Sequence, residues 1–217
     1  MFFKCAHHAP AAETSGHTET VSRNNKHFTV DIHCHIHVPE ADEYVRQESP
    51  EFTGRTMVDS NPITSKINAE QQQTILPKLT DPEIRLKDMD AQGIDVQAIS
   101  TSPFHYNYFF DAEFTRETAR LVNDRIAEVV ASHPDRFVGL GTVPLQNPEM
   151  AVTELDRCID ELGFKGVEIS TNVNGQDLTR AGLEKFFAAC EEKDVMIFIH
   201  PIGTSYVDRM DDHYFRN

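Results

Sequence analysis

From residue 94 to residue 200 the chain repeats one unit, a short apolar run followed by a helical pattern, and this alternation restricts the fold more than any other feature. IDVQAIST (94–101) precedes a helix expected from about Ala112 to Ser132, which Pro134 ends. RFVGLGTV (136–143) precedes a second helix, opened by Asn147-Pro148-Glu149 and closed by Gly163, with Ala151, Val152, Leu155, Ile159 and Leu162 at helical spacing. KGVEIST (165–171) precedes a third, expected from about Asp177 to Glu192, and VMIFIH (195–200) follows as a strand. Upstream, HFTVDIH (27–33) reads as the first strand. A short helix then runs from the N-cap Asp81 and N1 proline Pro82 to Gly93, with Ile84, Leu86 and Met89 on its apolar side. Continuous apolar strands joined by crossover helices predict a parallel α/β sheet covered by helices, and five strands are counted.

Five such strands suit either an open doubly wound sheet or part of a barrel. No G-x-G-x-x-G or G-x-x-x-x-G-K-[ST] follows any strand, so the phosphate-binding open sheets lose their best support. A (β/α)₈ barrel takes roughly 250 residues, whereas this chain has 217 and reaches its fifth strand at residue 200. The expectation is an incomplete barrel, with residues 1–26, poor in apolar residues and without periodicity, as a mobile N-terminal leader and 27–217 as the N-terminal portion of the barrel domain. The polar, proline-punctuated stretch from Val38 to about Thr80 reads as a long loop or insertion. Unpaired edges in such a partial barrel favour association with another chain, so a homo-oligomer is expected.

Charge narrows the partners. Lys+Arg number 20 against 35 Asp+Glu, a net charge of −15, which argues against nucleic acid or an anionic membrane surface as a partner. The longest apolar runs, such as Val195 to Ile199, fall far short of the roughly 20 residues of a membrane span. The four cysteines are scattered with no C-x-x-C pair, which points away from a disulfide framework and towards a reducing, cytoplasmic compartment.

The chemistry centres on histidine. His33 and His35 are two residues apart on one strand, so they project to the same side and can chelate one ion. His37 continues the spacing but is followed by Val38-Pro39, where the chain leaves the strand, and is not expected among the ligands. His200 ends a later strand, and in barrel enzymes the carboxyl ends of the strands form the active-site face, so His33, His35 and His200 are expected to converge on a divalent metal with a coordination position left open. His7, His8, His17, His133 and His213 lie in polar or turn contexts and read as solvated. Phe104, His105, Tyr106 and Tyr108 follow the second strand, where they either line a pocket for a flat substrate, with His105 as donor, or pack a loop. Arg85, mid-helix beside Asp88, reads as an ion pair on an exposed face, and Asn174-Gly175 as a turn.

Five separated blocks, DIHCHIHVPE, RLKDMDAQGIDVQAIST, RFVGLGTVPLQNPEMAV, ELGFKGVEISTNVNG and FIHP, occur in an order that resembles the amidohydrolase-related metal-dependent decarboxylases, the branch that includes the 2-amino-3-carboxymuconate-6-semialdehyde decarboxylases. The resemblance covers residue 27 to the end and implies a TIM-barrel-like metal-dependent hydrolase fold of which about five of eight strands are present. It implies a divalent metal, zinc first and manganese second, and non-oxidative decarboxylation of a small-molecule unsaturated or aromatic carboxylic acid. By matching position, His33 and His35 resemble the first-strand ligands and His200 the later-strand ligand, with His105 and Tyr106 as candidate substrate contacts. The alternatives are a metal-dependent hydrolase on the same scaffold and an inactive remnant or interaction subunit. Two departures stand out: the proton-handling histidine and the aspartate that complete such sites have no counterpart up to Asn217, and Gln71 to Gln73 stand where a carboxylate-binding arginine is expected. The second departure disfavours the muconate semialdehyde as substrate.

Overall fold

A computed structural model describes residues 27–51 and 62–201; the expected leader lies outside these residues. The chain runs β1 (Val30–Ile36), α1 (Pro39–Glu48), α2 (Pro62–Thr80), α3 (Pro82–Gln92), β2 (Val96–Thr101), a 3₁₀ turn (Pro103–His105), α4 (Ala112–Ser132), β3 (Phe137–Gly141) and α5 (Pro148–Asp156). A π turn (Arg157–Glu161), β4 (Gly166–Ser170), β5 (Asn172–Val173), β6 (Gln176–Asp177), α6 (Glu184–Glu192) and β7 (Met196–His200) follow. The caps read from sequence at Asp81 and Asn147 operate as expected, and Asp111 adds one not anticipated there. Asp81, Asp111 and Asn147 each accept a hydrogen bond from the first turn of their helix, from the backbone N–H of Glu83, Phe114 and Met150. Gly93 ends α3 in the left-handed region, at φ 70°.

Five strands form one parallel sheet in the order β1-β2-β3-β4-β7. β1 and β7 are its two edges, and across a flat sheet four inter-strand steps of about 4.8 Å would hold them about 19 Å apart. The imidazole rings of His33 on β1 and His200 on β7 are nevertheless 5.1 Å apart, centroid to centroid. The sheet is therefore curled on itself as a half-barrel, with the histidines reaching across its interior, and the helices cover its outside.

Two clusters fill the layer between sheet and helices. Cys34 and Ile36 of β1, Ile99 of β2 and Phe137 of β3 pack on Met89 of α3 and on Val122, Ile126 and Val129 of α4. Val167 and Ile169 of β4 pack with Leu155 of α5 and Phe186 and Cys190 of α6. Each large side chain buried there contributes about 1.5–3 kcal/mol, which makes the outer face of the sheet the rigid support of the inner one. Gly166 permits the closest approach within the sheet: a Cβ there would collide with the carbonyl oxygen of Met196 on β7. A side chain on residue 166 would push away the strand that carries His200.

Two sequence expectations are corrected. The stretch from Val38 to Thr80 contains helices α1 and α2, not only loop. α1 has a proline at N1, acidic Glu40 and Asp42 in its first turn and Arg46 in its last, but it is short, polar overall and buries only Ala41, so its apolar side is slight. The last helix begins at Glu184 rather than near Asp177, because residues 172–177 form the β5–β6 hairpin. Its turn, Asn174-Gly175, has φ of 51° and 81°, the conformation that this residue pair favours.

Candidate metal centre

β1 sorts its side chains by alternation. Cys34 and Ile36 point into the core under the helices, and His33 and His35 project to the opposite side. Pairing of β1 with β2 moves from Asp31–Gln97 to Cys34–Ile99, so β1 carries one extra residue, a bulge that sits at the first histidine. β7 reaches the same end of the sheet and terminates at His200, which is paired with Ser170 of β4.

The structure brings His33, His35 and His200 together. Ring centroids are 4.9 Å apart for His33–His35, 5.1 Å for His33–His200 and 4.7 Å for His35–His200, and all three rings cross steeply, at 71–89°. One nitrogen from each lies within 4.8 Å of the other two. The Nε2 atoms of His33 and His35 are 3.0 Å apart, close to the about 3.3 Å edge that two nitrogens span when bound at 2.0–2.1 Å to a tetrahedral ion. On its other side, His35 Nδ1 lies 2.8 Å from the Thr101 carbonyl, to which it donates, and that bond fixes the ring with a bare Nε2 facing the cluster. His200 Nδ1 is buried without a hydrogen-bond partner, a polar atom that folding leaves for something else to satisfy.

Electrostatics keep two of these rings, His35 and His200, neutral. Burial, then the neighbouring His200, lowers the pKa of His35 to about 4, and burial, then His33, lowers that of His200. Neutral imidazoles present lone pairs, and lone pairs aimed at one point repel one another unless a cation takes the centre. The donor set therefore fits a divalent metal with an open position.

Beneath the cluster lie two residues with no role read from the sequence, Glu168 and Gln97, and a third, Arg85, whose role differs from the one expected. Glu168, in the middle of β4, is wholly buried; it accepts a 2.5 Å hydrogen bond from the Tyr106 hydroxyl, and its other oxygen lies 3.6 Å from His35 Nδ1. Burial raises its pKa to about 7 against the opposing hydroxyls of Ser100 and Tyr106. The available signal was a lone carboxylate within the otherwise apolar VEIS. Arg85 is corrected: it is buried, donating to the His35 carbonyl at 2.5 Å and to Gln97 at 3.2 Å, and Gln97 in turn donates to Asp31 at 3.2 Å. The exposed pair expected there is instead Lys78–Asp88, at 2.6 Å. Arg85 thus ties α3 to the strand that carries two of the histidines.

The other sequence candidates are placed elsewhere. Tyr106 is buried and stacked on Tyr108, turned towards Glu168. His105 is buried with Nε2 3.2 Å from Asp42 Oδ1, and His37 Nε2 lies 2.9 Å from Asp42 Oδ2. Burial pushes the Asp42 carboxyl up, but hydrogen bonds from His105 and His37 outweigh it and hold its pKa well below the usual carboxylate range. His133 is half-buried, edge-on to Phe137 and 3.4 Å from Glu83, rather than fully solvated.

The profile of the family described as Amidohydrolase matches residues 30–215. The chain belongs to the amidohydrolase family. It is 38% identical over 134 residues to the 2-amino-3-carboxymuconate-6-semialdehyde decarboxylase of Dictyostelium discoideum, covering 62% of this chain and 37% of that protein. It is 32% identical to the gamma-resorcylate decarboxylase of Polaromonas sp., over 69% of this chain and 47% of that one. Among solved structures, the 5-carboxyvanillate decarboxylase of Novosphingobium aromaticivorans, complexed with manganese and 4-hydroxy-3-methoxy-5-nitrobenzoic acid, superimposes with a TM-score of 0.73 at 31% identity, covering 85% of this chain and 54% of that one. The chain thus spans about half the length of these relatives or less. Their shared fold accounts for the curled sheet as part of an amidohydrolase barrel.

Proposed function

We propose that this amidohydrolase-family chain carries the metal-binding half of a non-oxidative decarboxylase acting on an unsaturated or aromatic carboxylic acid, with His33, His35 and His200 as ligands to one divalent ion. The observation that carries the reading is the convergence of three imidazoles across the sheet interior, in a chain whose relatives include two decarboxylases at 38% and 32% identity. Bound there, a divalent ion supplies Lewis acidity towards the substrate's oxygens. Zinc is the first choice from the nitrogen-only donors and manganese the second, the latter supported by the manganese in the carboxyvanillate decarboxylase.

The chain's own residues orient the site. Thr101 holds the His35 ring through Nδ1, Arg85 holds the His35 backbone, and Tyr106 acts through Glu168 beneath His35. Glu168, with a pKa near 7, holds a proton in the low-dielectric interior at the foot of the site. Gln71 to Gln73 lie on α2 and supply no guanidinium, which favours a phenolic benzoate over the muconate semialdehyde. Three free buried cysteines, Cys34, Cys158 and Cys190, agree with a reducing, cytoplasmic setting. No helix among the described residues is long and apolar enough to cross a membrane.

CO₂ release from 2,6-dihydroxybenzoate tests the reading, on the 217-residue chain and on the chain extended to the relatives' length. We expect turnover by the extended protein, loss of it with a chelator or His200→Ala, and recovery with zinc or manganese. Ester or amide hydrolysis without CO₂ would assign the site to the hydrolase alternative.

A further inference from the structure

A second group of ligating side chains lies beside the first, built from a different set of elements. His37 follows β1, Asp42 lies in the first turn of α1, and His105 ends the 3₁₀ turn after β2. We infer that His37, Asp42 and His105 form a second divalent-cation site, taking a first-row transition ion such as zinc and clamping α1 and the 3₁₀ turn onto the ends of β1 and β2. The inference stands apart from the proposed decarboxylation and uses none of the residues of the first cluster.

Geometry carries it. The two imidazoles present Nε2 to opposite oxygens of one carboxylate, at 2.9 Å for His37 and 3.2 Å for His105, and one ligand atom from each of the three residues lies within 4.8 Å of the others. The two nitrogen–oxygen spacings lie just under the about 3.3 Å that separates donors on a tetrahedral ion, so the three residues already stand at ligand spacing. The rings stand side by side, centroids 4.8 Å apart and tilted by 31°, so both present the same edge. Two imidazoles and one carboxylate are a donor set suited to zinc and iron-type cations, with positions left for water.

The backbone around the three residues is fixed independently of any ion. His37 N–H donates to the Leu79 carbonyl at 2.9 Å, Ser102 N–H to Ile36 at 2.9 Å and His105 N–H to Ser102 at 2.8 Å, so the ligands are held before an ion arrives. Burial is graded across the group: the His105 side chain is 1% exposed, that of His37 17% and that of Asp42 42%. An ion can reach the carboxylate from solvent and settle against the buried imidazole. The rival occupant of this geometry is a proton-sharing His–Asp–His bridge without metal affinity, and the two make opposite predictions.

The test is zinc titration of the chelator-stripped 217-residue chain by calorimetry, with bound metal counted by elemental analysis. The wild type should take up two equivalents. His33→Ala/His200→Ala, which removes two ligands of the first cluster, should keep one, with a rise in melting temperature on adding zinc; adding Asp42→Asn or His105→Gln should weaken that equivalent at least tenfold. In the wild-type background, where the fold is least disturbed, Asp42→Asn alone should reduce two equivalents to one. A wild type that holds one equivalent, lost entirely with His33→Ala, would overturn the inference, as would retention of the second equivalent after Asp42→Asn and His105→Gln.

Discussion

Glu168→Gln should make the chain more stable, and by an amount that grows with pH. Glu168 is wholly buried on β4, accepts the Tyr106 hydroxyl, and faces His35 Nδ1 at 3.6 Å. Burial raises its pKa from the ordinary 4.5 to about 7, so between these values the unfolded chain has released the proton that the folded chain retains. Where the unfolded state binds fewer protons, stability falls as pH rises. The contribution is fully present below about 4.5 and lost by about 7, and at 1.36 kcal/mol per pH unit the loss amounts to about 3 kcal/mol. Glutamine keeps the shape and the acceptor for Tyr106 but has no proton to release. His35, with its pKa lowered to about 4, makes stability rise through about pH 4–6.5; it is present in both proteins and cancels from their difference. Through most of the interval both groups are neutral in the folded state, so no ion pair between them intervenes. Urea unfolding of both proteins with a chelator present, from pH 4.5 to 7.5, should show the variant gaining about 3 kcal/mol over wild type across the range. A difference that is flat, or that shrinks with rising pH, would refute the reasoning, since it would mean that Glu168 is already ionised and paired with an imidazolium.

Other perturbations probe the support of the site. Arg85→Met removes a buried donor from the His35 carbonyl and from Gln97, and should cost about 2–3 kcal/mol in urea unfolding of the metal-free chain; a change under 0.5 kcal/mol would show that these bonds do not hold β1. Gly166→Ala forces β7 away at Met196 and should destabilise by about 1–3 kcal/mol while weakening zinc binding at the first cluster, although no ligand is touched. Ile32 on β1 and Ile199 on β7, 50% and 48% exposed on the two edge strands, should drive the 217-residue chain to self-associate, as read by light scattering. Ile199→Lys should reduce that association, and a monodisperse wild-type monomer would contradict it.

What could be read in the sequence follows from how local each signal is. α3 and α5 were placed to within a few residues because Asp81 and Asn147 cap their own helices, an interaction spanning two or three residues, and α4 because Pro134 ends its helical pattern. The strands were legible because a parallel sheet covered by helices demands continuous apolar runs. α1 and α2 were not, since α2 shows no periodic stripe and α1 is too short and polar for its few apolar residues to stand out, leaving proline at N1 and an acidic first turn as its marks. The H-x-H pair was legible for the same reason as the caps, its two members being neighbours on one strand.

The remaining chemistry depends on long-range closure. His200 was found only because its strand end could be assigned to the same face as that of β1; nothing within a few residues of it signals a ligand. Glu168 meets Tyr106 across 62 residues, Arg85 meets the His35 carbonyl across 50 and His105 meets Asp42 across 63, and in each case the local sequence favoured a blander role. Such residues share one trait visible before folding, a titratable or strongly polar group in a position that apolar neighbours are about to bury. Burying Glu168 unpaired would cost several kcal/mol, so its presence in an apolar strand already implies a partner elsewhere in the chain. The partner can be named only once the curl of the sheet brings β2 and β4 onto the same interior, which is also what makes three histidines from its two opposite edges into one site.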